Sequence, residues 1–156
     1  MISLLRVDDK LLHGQISFSW IKNLKINIIL IADDYIVYDE FMKTTLFLSK
    51  PNNVHLEILD LKETLNYINK KSKDNNILII VNNIKNAYHI MENIPTIQSL
   101  NLGFIRKKYN TKKITNFISL KDEEIHLCKK LIEQGKEIEI RLYFNDKKQF
   151  IKNFIS

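Results

Sequence analysis

The sequence predicts an α/β fold: an open, mostly parallel central sheet with helices on both faces and one antiparallel strand near the C-terminal part. Three observations carry this expectation. Short β-branched runs alternate with amphipathic helical patterns, as βαβ units with right-handed crossovers require. Several runs are apolar at nearly every position, which suits strands covered on both faces. No Pro/Gly/Ser-rich linker, low-complexity tract or solenoid-length repeat divides the 156 residues. Residues 1–156 are therefore expected to form a single domain with a sizeable core.

Taken in order, "ISLLRV" (2–7) reads as the first strand, followed by Ile16, Trp20 and Leu24 at helical spacing. "INIILIA" (26–32) reads as the second, and Phe41, Thr45 and Leu48 mark a helical apolar stripe that Pro51 stops. "VHLEIL" (54–59) is read as a third strand of the same covered type. Asp60 then stands where an N-cap belongs, ahead of Leu61, Leu65 and Ile68. "NILIIV" (76–81) is the fourth strand, and Ala87, Ile90 and Met91 mark the next helix, with Pro95 just beyond it. The block "GFIRKKYNTKKITNFISL" (103–120) breaks the alternation, and a strand within it is expected to run antiparallel. Ser119 and Asp122 have capping-box spacing before the stripe Ile125, Cys128, Leu131 and Ile132, and Gly135 supplies a C-terminal stop. "EIEIRLYF" (137–144) alternates in its first half, as a strand exposed on one side would.

Composition narrows the function classes. Arg6, Asp8, Asp9 and Lys10 interrupt the first apolar run too early for a secretory signal, and no run has the length to cross a bilayer. Cys128 is the only cysteine, so neither an intrachain disulfide nor a cysteine zinc cluster can form. A cytoplasmic protein is expected. The formal net charge of +6 raises the question of nucleic acid. Lysine, asparagine and isoleucine abound together along the whole chain, as AT-rich codon usage would produce, and no recognition motif accompanies the charge. No nucleic-acid partner is expected. The densest basic cluster is Arg106, Lys107, Lys108, Lys112 and Lys113, with Tyr109 among them. It reads first as a solvated loop, and second as a contact for an anionic partner such as a protein carrying phosphate.

The informative stretch is "RVDDKLLHGQ" (6–15), at a strand-to-helix junction. In open α/β sheets, ligands bind outside the carboxyl ends of the strands, where this loop belongs. A lone loop histidine is ordinarily a surface side chain, but the surroundings of His13 favour an anion. Gly14 leaves room for backbone amides to approach a tetrahedral group. The helix start supplies unpaired amides and the positive end of a dipole, and Lys10 adds a full charge. The same positive groups oppose a second proton on the ring, leaving an uncharged nitrogen able to attack phosphorus. Asp8 or Asp9 can accept a proton from the other nitrogen. The glycine run and Gly-Lys-Ser/Thr ending of a P-loop are absent. His55, His89 and His126 show no metal-ligand spacing, and neither a metal nor another cofactor is expected.

"LLRVDDKLLHGQISFSWIK" (4–22) resembles the N-terminal signature of the IIB component of the mannose/fructose/sorbose class of the bacterial sugar phosphotransferase system. That family usually reads Arg-x-Asp-Asp-Arg-Leu-Ile-His-Gly-Gln-Val at this point. The resemblance covers essentially the whole chain. "ADDYIVYDEFMKTTLFLSKP" (32–51) resembles the family's second-strand loop and helix, with aspartates at Asp34 and Asp39. "LNLGF" (100–104) resembles its Asn-Val-Gly-Gly turn, and "ISLKDEEIHLCKKLIEQGKEIEIR" (118–141) its last helix, glycine and strand.

The resemblance implies a phosphocarrier. His13 would take a phosphoryl group from a phosphohistidine on the phosphorylated IIA partner and pass it to a sugar delivered by the IIC and IID membrane components. Lys10, Gly14 and Gln15 would hold phosphate, Asp9 would order the loop, and Asp34, at a strand end, would either support the site or take a helix-capping or surface role. Three departures stand out: the usual arginine is Lys10, the second glycine of the turn is Phe104, and Pro-Pro-Gly has become Pro51-Asn52-Asn53. Lysine keeps the charge but lacks the fork that grips two phosphate oxygens. A degenerate family member that docks without completing transfer is the alternative reading. Trp20 and Phe18 are read as packing residues or a docking surface near the first helix, and Cys128 as core.

Overall fold

The computed structural model describes residues 1–71 and 73–155. Its elements run β1 (Ile2–Asp8), α1 (Gly14–Asn23), β2 (Ile28–Ala32), a 3-10 turn (Ile36–Tyr38), α2 (Glu40–Ser49), β3 (His55–Leu59), α3 (Leu61–Lys71) and β4 (Ile77–Val81). There follow α4 (Ile84–Asn93), β5 (Ser99–Phe104), β6 (Lys112–Lys113), β7 (Ser119–Leu120), α5 (Asp122–Glu133), β8 (Glu137–Ile140), β9 (Gln149–Phe150) and a second 3-10 turn (Ile151–Asn153). Seven strands form one sheet in the order β3-β2-β4-β1-β5-β8-β9. Every neighbouring pair is parallel except β8 and β9, which run antiparallel with Glu139 opposite Phe150. This is the predicted class. The block 103–120 does hold antiparallel pairing, but as the separate β6-β7 ribbon; the antiparallel strand of the main sheet comes later, at β9.

The continuously apolar strands earn that composition by feeding two cores. On β4, Ile77, Ile79 and Val81 join one cluster, while Leu78 and Ile80 join the other. On β2, Ile28, Leu30 and Ala32 divide from Ile29 and Ile31 in the same way. The period of two in side-chain direction is thus preserved although no position is polar. Ile68 of α3, the stripe of α4 and Cys128 and Leu131 of α5 cover the first face. Ile21 of α1 and Leu46 of α2 cover the second.

Helix starts follow local chemistry. Asp60 and Glu63 form a reciprocal capping box, with Glu63 N–H donating to Asp60 Oδ1 at 2.7 Å and Asp60 N–H to Glu63 Oε1 at 3.1 Å. The box expected at Ser119 and Asp122 is displaced. Ser119 lies in β7, and the Lys121 N–H donates to Glu124 Oε1 at 2.9 Å at the start of α5. Three further expectations need correction. β3 is an edge strand with His55 exposed and paired to Glu57, so only part of it is covered. On α2 the stripe Phe41, Thr45 and Leu48 faces solvent, and Leu46 is the residue that packs inward. On β8, Glu139 is buried instead of exposed, because Arg141 and Asn101 satisfy its carboxylate.

The strand order creates a switch point. β1 leads through α1, on one face, toward β2, while its neighbour β5 leads through α5, on the opposite face, to β8. The connections leave β1 and β5 in opposite directions, opening a crevice at their carboxyl ends. The His13 loop follows β1, and the basic segment 105–118 follows β5, so both border that crevice.

Candidate functional site at the histidine loop

The loop 9–13 is held from below by its leucines. Leu11 and Leu12 are both buried in the second core cluster, and burying each contributes about 1.5–3 kcal/mol. Leu11 adopts φ 59°, a left-handed conformation unfavourable for a leucine, and its N–H donates to Asp8 O at 3.0 Å. That reversal turns the chain so that both leucines point inward and His13 sits at the rim. The imidazole is 18 % exposed, open enough to be reached. Gly14, at φ +55°, has nothing within 4 Å of where a Cβ would sit. Its requirement for glycine is conformational, and open space lies beside it.

Asp8 is the centre of the arrangement. Its carboxylate is fully buried, and Oδ2 lies 3.0 Å from Arg6 Nη2 and 2.8 Å from His13 Nε2. Oδ1 accepts the Lys10 N–H at 3.0 Å. An ionised carboxylate only accepts hydrogen bonds, so the proton of the neutral ring sits on Nε2 and Nδ1 carries the free lone pair. Arg6 is in turn buried, with Nη1 donating to Asn101 Oδ1 at 2.6 Å and to Arg141 O at 3.0 Å, and Nη2 donating to Leu142 O at 3.0 Å. Burial pulls its pKa below the ordinary arginine value, and Asp8 opposes that pull. Asn101 passes the chain of contacts on to Glu139 Oε1 at 3.1 Å, and Glu139 pairs with Arg141 at 2.8 Å. A polar network so placed is costly to disturb, because each member's loss leaves a buried group unpaired.

Two more contacts shape the loop. Asp9 accepts from the Arg106 backbone N–H at 2.8 Å and from Nε at 3.1 Å through Oδ2, while Oδ1 accepts from Nη2 at 3.2 Å. This fork ties the histidine loop to the segment after β5, and the Asp9 carboxylate raises the Arg106 pKa. Lys10 is exposed, with Nζ 4.7 Å from the centroid of the Phe104 ring. The aromatic residue that departs from the family turn therefore lies under the lysine that departs from the family loop. His13 N–H donates to Ser17 Oγ at 2.8 Å, but no side chain caps the first turn of α1 and no acidic residue lies in it. Its leading amides are therefore available to an anion.

The remaining sequence candidates are placed as follows. Gln15 is exposed at the start of α1, beside a cleft of ≈ 400 Å³ shared with Gly14, Phe18 and Lys50. Asp34 is exposed beyond β2 and its Oδ1 accepts the Leu61 N–H at 2.9 Å, so it braces the start of α3, the helix-capping role. Asp39 caps α2 through the Met42 N–H at 3.0 Å. Trp20 is buried between Arg6 and Arg141, whose guanidinium carbons lie 5.2 and 4.9 Å from its ring, and its indole N–H donates to Leu142 O at 2.9 Å. Cys128 is buried and burial pushes its thiol up to about 12, which leaves it protonated and a poor nucleophile. Among the described residues no three His, Cys, Asp or Glu side chains gather closely enough to hold a metal ion.

Sequence reasoning named Asp9 as the loop-ordering residue, left open whether Asp8 or Asp9 accepts the imidazole proton, and overlooked Arg6, Asn101 and Gly103. Each carried a signal: a charged or polar residue inside an otherwise apolar strand must find a buried partner. Gly103 makes room for that partner, since a Cβ there would stand 2.1 Å from Arg6 Nη2.

The fold and the site together define a doubly wound α/β protein that presents one histidine, bound through Nε2 to a buried carboxylate, at the carboxyl edge of its switch point. The profile described as "PTS system sorbose subfamily IIB component" matches residues 2–156, and the chain belongs to that family. It is 27% identical over its whole length to the mannose-specific EIIAB component of Escherichia coli K12, of which it spans about half (49%). It is 29% identical to a probable phosphotransferase enzyme IIB component of Streptococcus pyogenes, with 85% of each chain covered. In structure it is similar to the IIB domain of the sorbose permease from Klebsiella pneumoniae, with a TM-score of 0.94, 24% identity, and 99% and 96% of the two chains covered.

Proposed function

We propose that the chain is a phosphocarrier that receives a phosphoryl group on Nδ1 of His13 from a phosphorylated IIA protein or domain and passes it to a sugar. The Nδ1 lone pair attacks phosphorus, the new N–P bond forms in line as the donor N–P bond breaks, and the released electron pair returns to the donor imidazole. In the second step a sugar hydroxyl attacks the same phosphorus. The His13 N–P bond breaks, and its electron pair returns to Nδ1, which can take up the hydroxyl proton. Such transfers depend on positioning and charge neutralisation more than on covalent help from other side chains.

The observation that carries this reading is the buried Asp8 carboxylate on Nε2, 2.8 Å away, which leaves Nδ1 as the nucleophile. As charge develops on the ring during transfer, the same carboxylate stabilises it. Lys10 and the open amides of Gly14 and Gln15 supply positive potential for the phosphoryl oxygens, and the Phe104 ring supports the Lys10 ammonium. An EIIAB relative that this chain half spans favours a IIA donor, and membership of the sorbose-subfamily IIB family favours IIC and IID membrane components as the destination. The intact Asp8–His13 pair favours transfer over the docking-only alternative.

The test is incubation with a IIA protein phosphorylated from phosphoenolpyruvate. Acid-labile, base-stable label should appear on the chain, vanish in His13→Ala, and pass to sugar in a single turnover when matching membrane components are added. Undiminished labelling of His13→Ala would overturn the proposal.

A further inference from the structure

We infer that the basic excursion between β5 and β7 is a docking surface for an anionic lipid bilayer. This goes beyond phosphoryl transfer and stands on different residues. From Phe104 to Lys121 the chain carries Arg106, Lys107, Lys108, Lys112, Lys113 and Lys121, and no Asp or Glu. The excursion is closed at its base by buried Ile105 and Ile118, with Ile105 N–H donating to Phe117 O and Ser119 N–H to Ile105 O, both at 2.9 Å. Its own backbone is partly satisfied within it, by Thr111 N–H on Lys108 O and Ile114 N–H on Ile118 O. It is therefore a built projection from the sheet edge whose polar main chain does not need a pairing strand.

What projects is charge with an aromatic residue among it. Tyr109 is 88 % exposed, flanked by exposed Lys107 and Lys108, and Lys112 and Lys113 follow on β6, also exposed. Lys112 pairs with Asp122 at 3.1 Å; among the described residues Lys107, Lys108 and Lys113 have no carboxylate partner. Lysine arms around a tyrosine are the chemistry of a bilayer interface: ammonium groups reach lipid phosphates, stems lie along the headgroup boundary, and the phenol sits at that depth. An acidic protein partner would instead need an apolar anchor seated in a concave patch. The cleft between the excursion and the start of α5, ≈ 900 Å³, is walled by lysines, Asn110, Thr111, Asp122 and Glu123, and Tyr109 is its only apolar side chain. Charge complementarity without an apolar seat favours the lipid surface.

The Arg106–Asp9 fork gives the docking a consequence that rests on the proposed function. Because the excursion is tied to the residue beside Asp8, a membrane held by the lysines would lie along the edge on which His13 opens.

The experiment uses the chain alone, with no phosphoryl donor, so that its outcome is independent of the transfer assay. Vesicles of phosphatidylglycerol mixed with phosphatidylcholine are compared with phosphatidylcholine alone in co-sedimentation at low salt and at about 0.5 M salt, where charges are screened within a few ångströms. Binding to the anionic vesicles alone, weakening steeply with salt, is expected. Each lysine removed should weaken it roughly fivefold, so that a quadruple change of Lys107, Lys108, Lys112 and Lys113 to Ser lowers it by about two to three orders of magnitude. Tyr109→Ser should lower it by a smaller factor that survives added salt. Circular dichroism and thermal melting show that the variants remain folded, as exposed positions should allow. Equal binding to neutral vesicles, equal binding by the quadruple variant, or binding to polyglutamate with none to anionic vesicles would each overturn the inference.

Discussion

At the scale of single residues, Asp8 does two jobs that the sequence alone leaves between two neighbours. Its Oδ2 joins a buried guanidinium to a reachable imidazole, while Asp9 turns outward to Arg106. Asp8→Asn keeps the shape but replaces an acceptor-only carboxylate by an amide that can donate to Nε2 and shift the proton to Nδ1. Label transfer from phospho-IIA should then fall by roughly 10²–10⁴-fold. A rapid-quench measurement giving the parent rate would show that Asp8 does not set the tautomer. Gly103 belongs to the same assembly. Its alanine variant would drive a Cβ into the Arg6 guanidinium, and breaking that buried pair should cost about 3–5 kcal/mol in denaturant unfolding. An unchanged midpoint would mean that Arg6 has another place to go. His13, Lys10 and Gly14 were legible because they lie together in five consecutive positions. Arg6, Asn101 and Gly103 were not, because their meaning depends on β1 and β5 lying side by side.

At the scale of elements, α2 shows how periodicity can find a helix and choose the wrong face. Phe41 and Leu48 repeat at helical spacing yet remain 83 % and 82 % exposed, while Leu46, 2 % exposed, carries the contact with the second core. Leu46→Ala should therefore destabilise the chain by about 2–5 kcal/mol, whereas Phe41→Ser or Leu48→Ser should stay within roughly 0.5 kcal/mol. Thermal and denaturant unfolding of the variants checks this; a large loss from Leu48→Ser would restore the original stripe. The helix was legible because its apolar residues repeat at helical spacing and Pro51 stops the pattern locally. Its inward face was not, since that depends on how an edge helix tilts over β2 and β3. The same limit explains β8, where alternation is real but both faces are covered, so Glu139 turns into a buried network instead of water.

At the scale of the whole molecule, Cys128 reports on the first core. The ordinary thiol value is 9.0, and burial among α4, α5 and the sheet, with Glu124 adding to it, pushes Cys128 up to about 12. Between those values the unfolded chain is ionised and the folded chain is not. The unfolded state then binds fewer protons, and stability falls as pH rises from about 9 toward 12. Cys128→Ala should flatten that alkaline loss of melting temperature relative to the parent chain, and native Cys128 should resist thiol reagents until unfolding; equal slopes or rapid labelling would contradict a sealed core. The sequence by itself determined the class of fold and singled out the candidate histidine loop, because strand runs, caps and the stretch Asp8–Gln15 are local patterns whose physics acts over a few residues. Tertiary structure alone decided that Asp8 and not Asp9 holds His13, that Asp34 caps the start of α3, and that the basic excursion is bound to the histidine loop. Those outcomes depend on strand order, which brings β5 beside β1 across almost a hundred residues of chain, and no local pattern encodes which strands become neighbours.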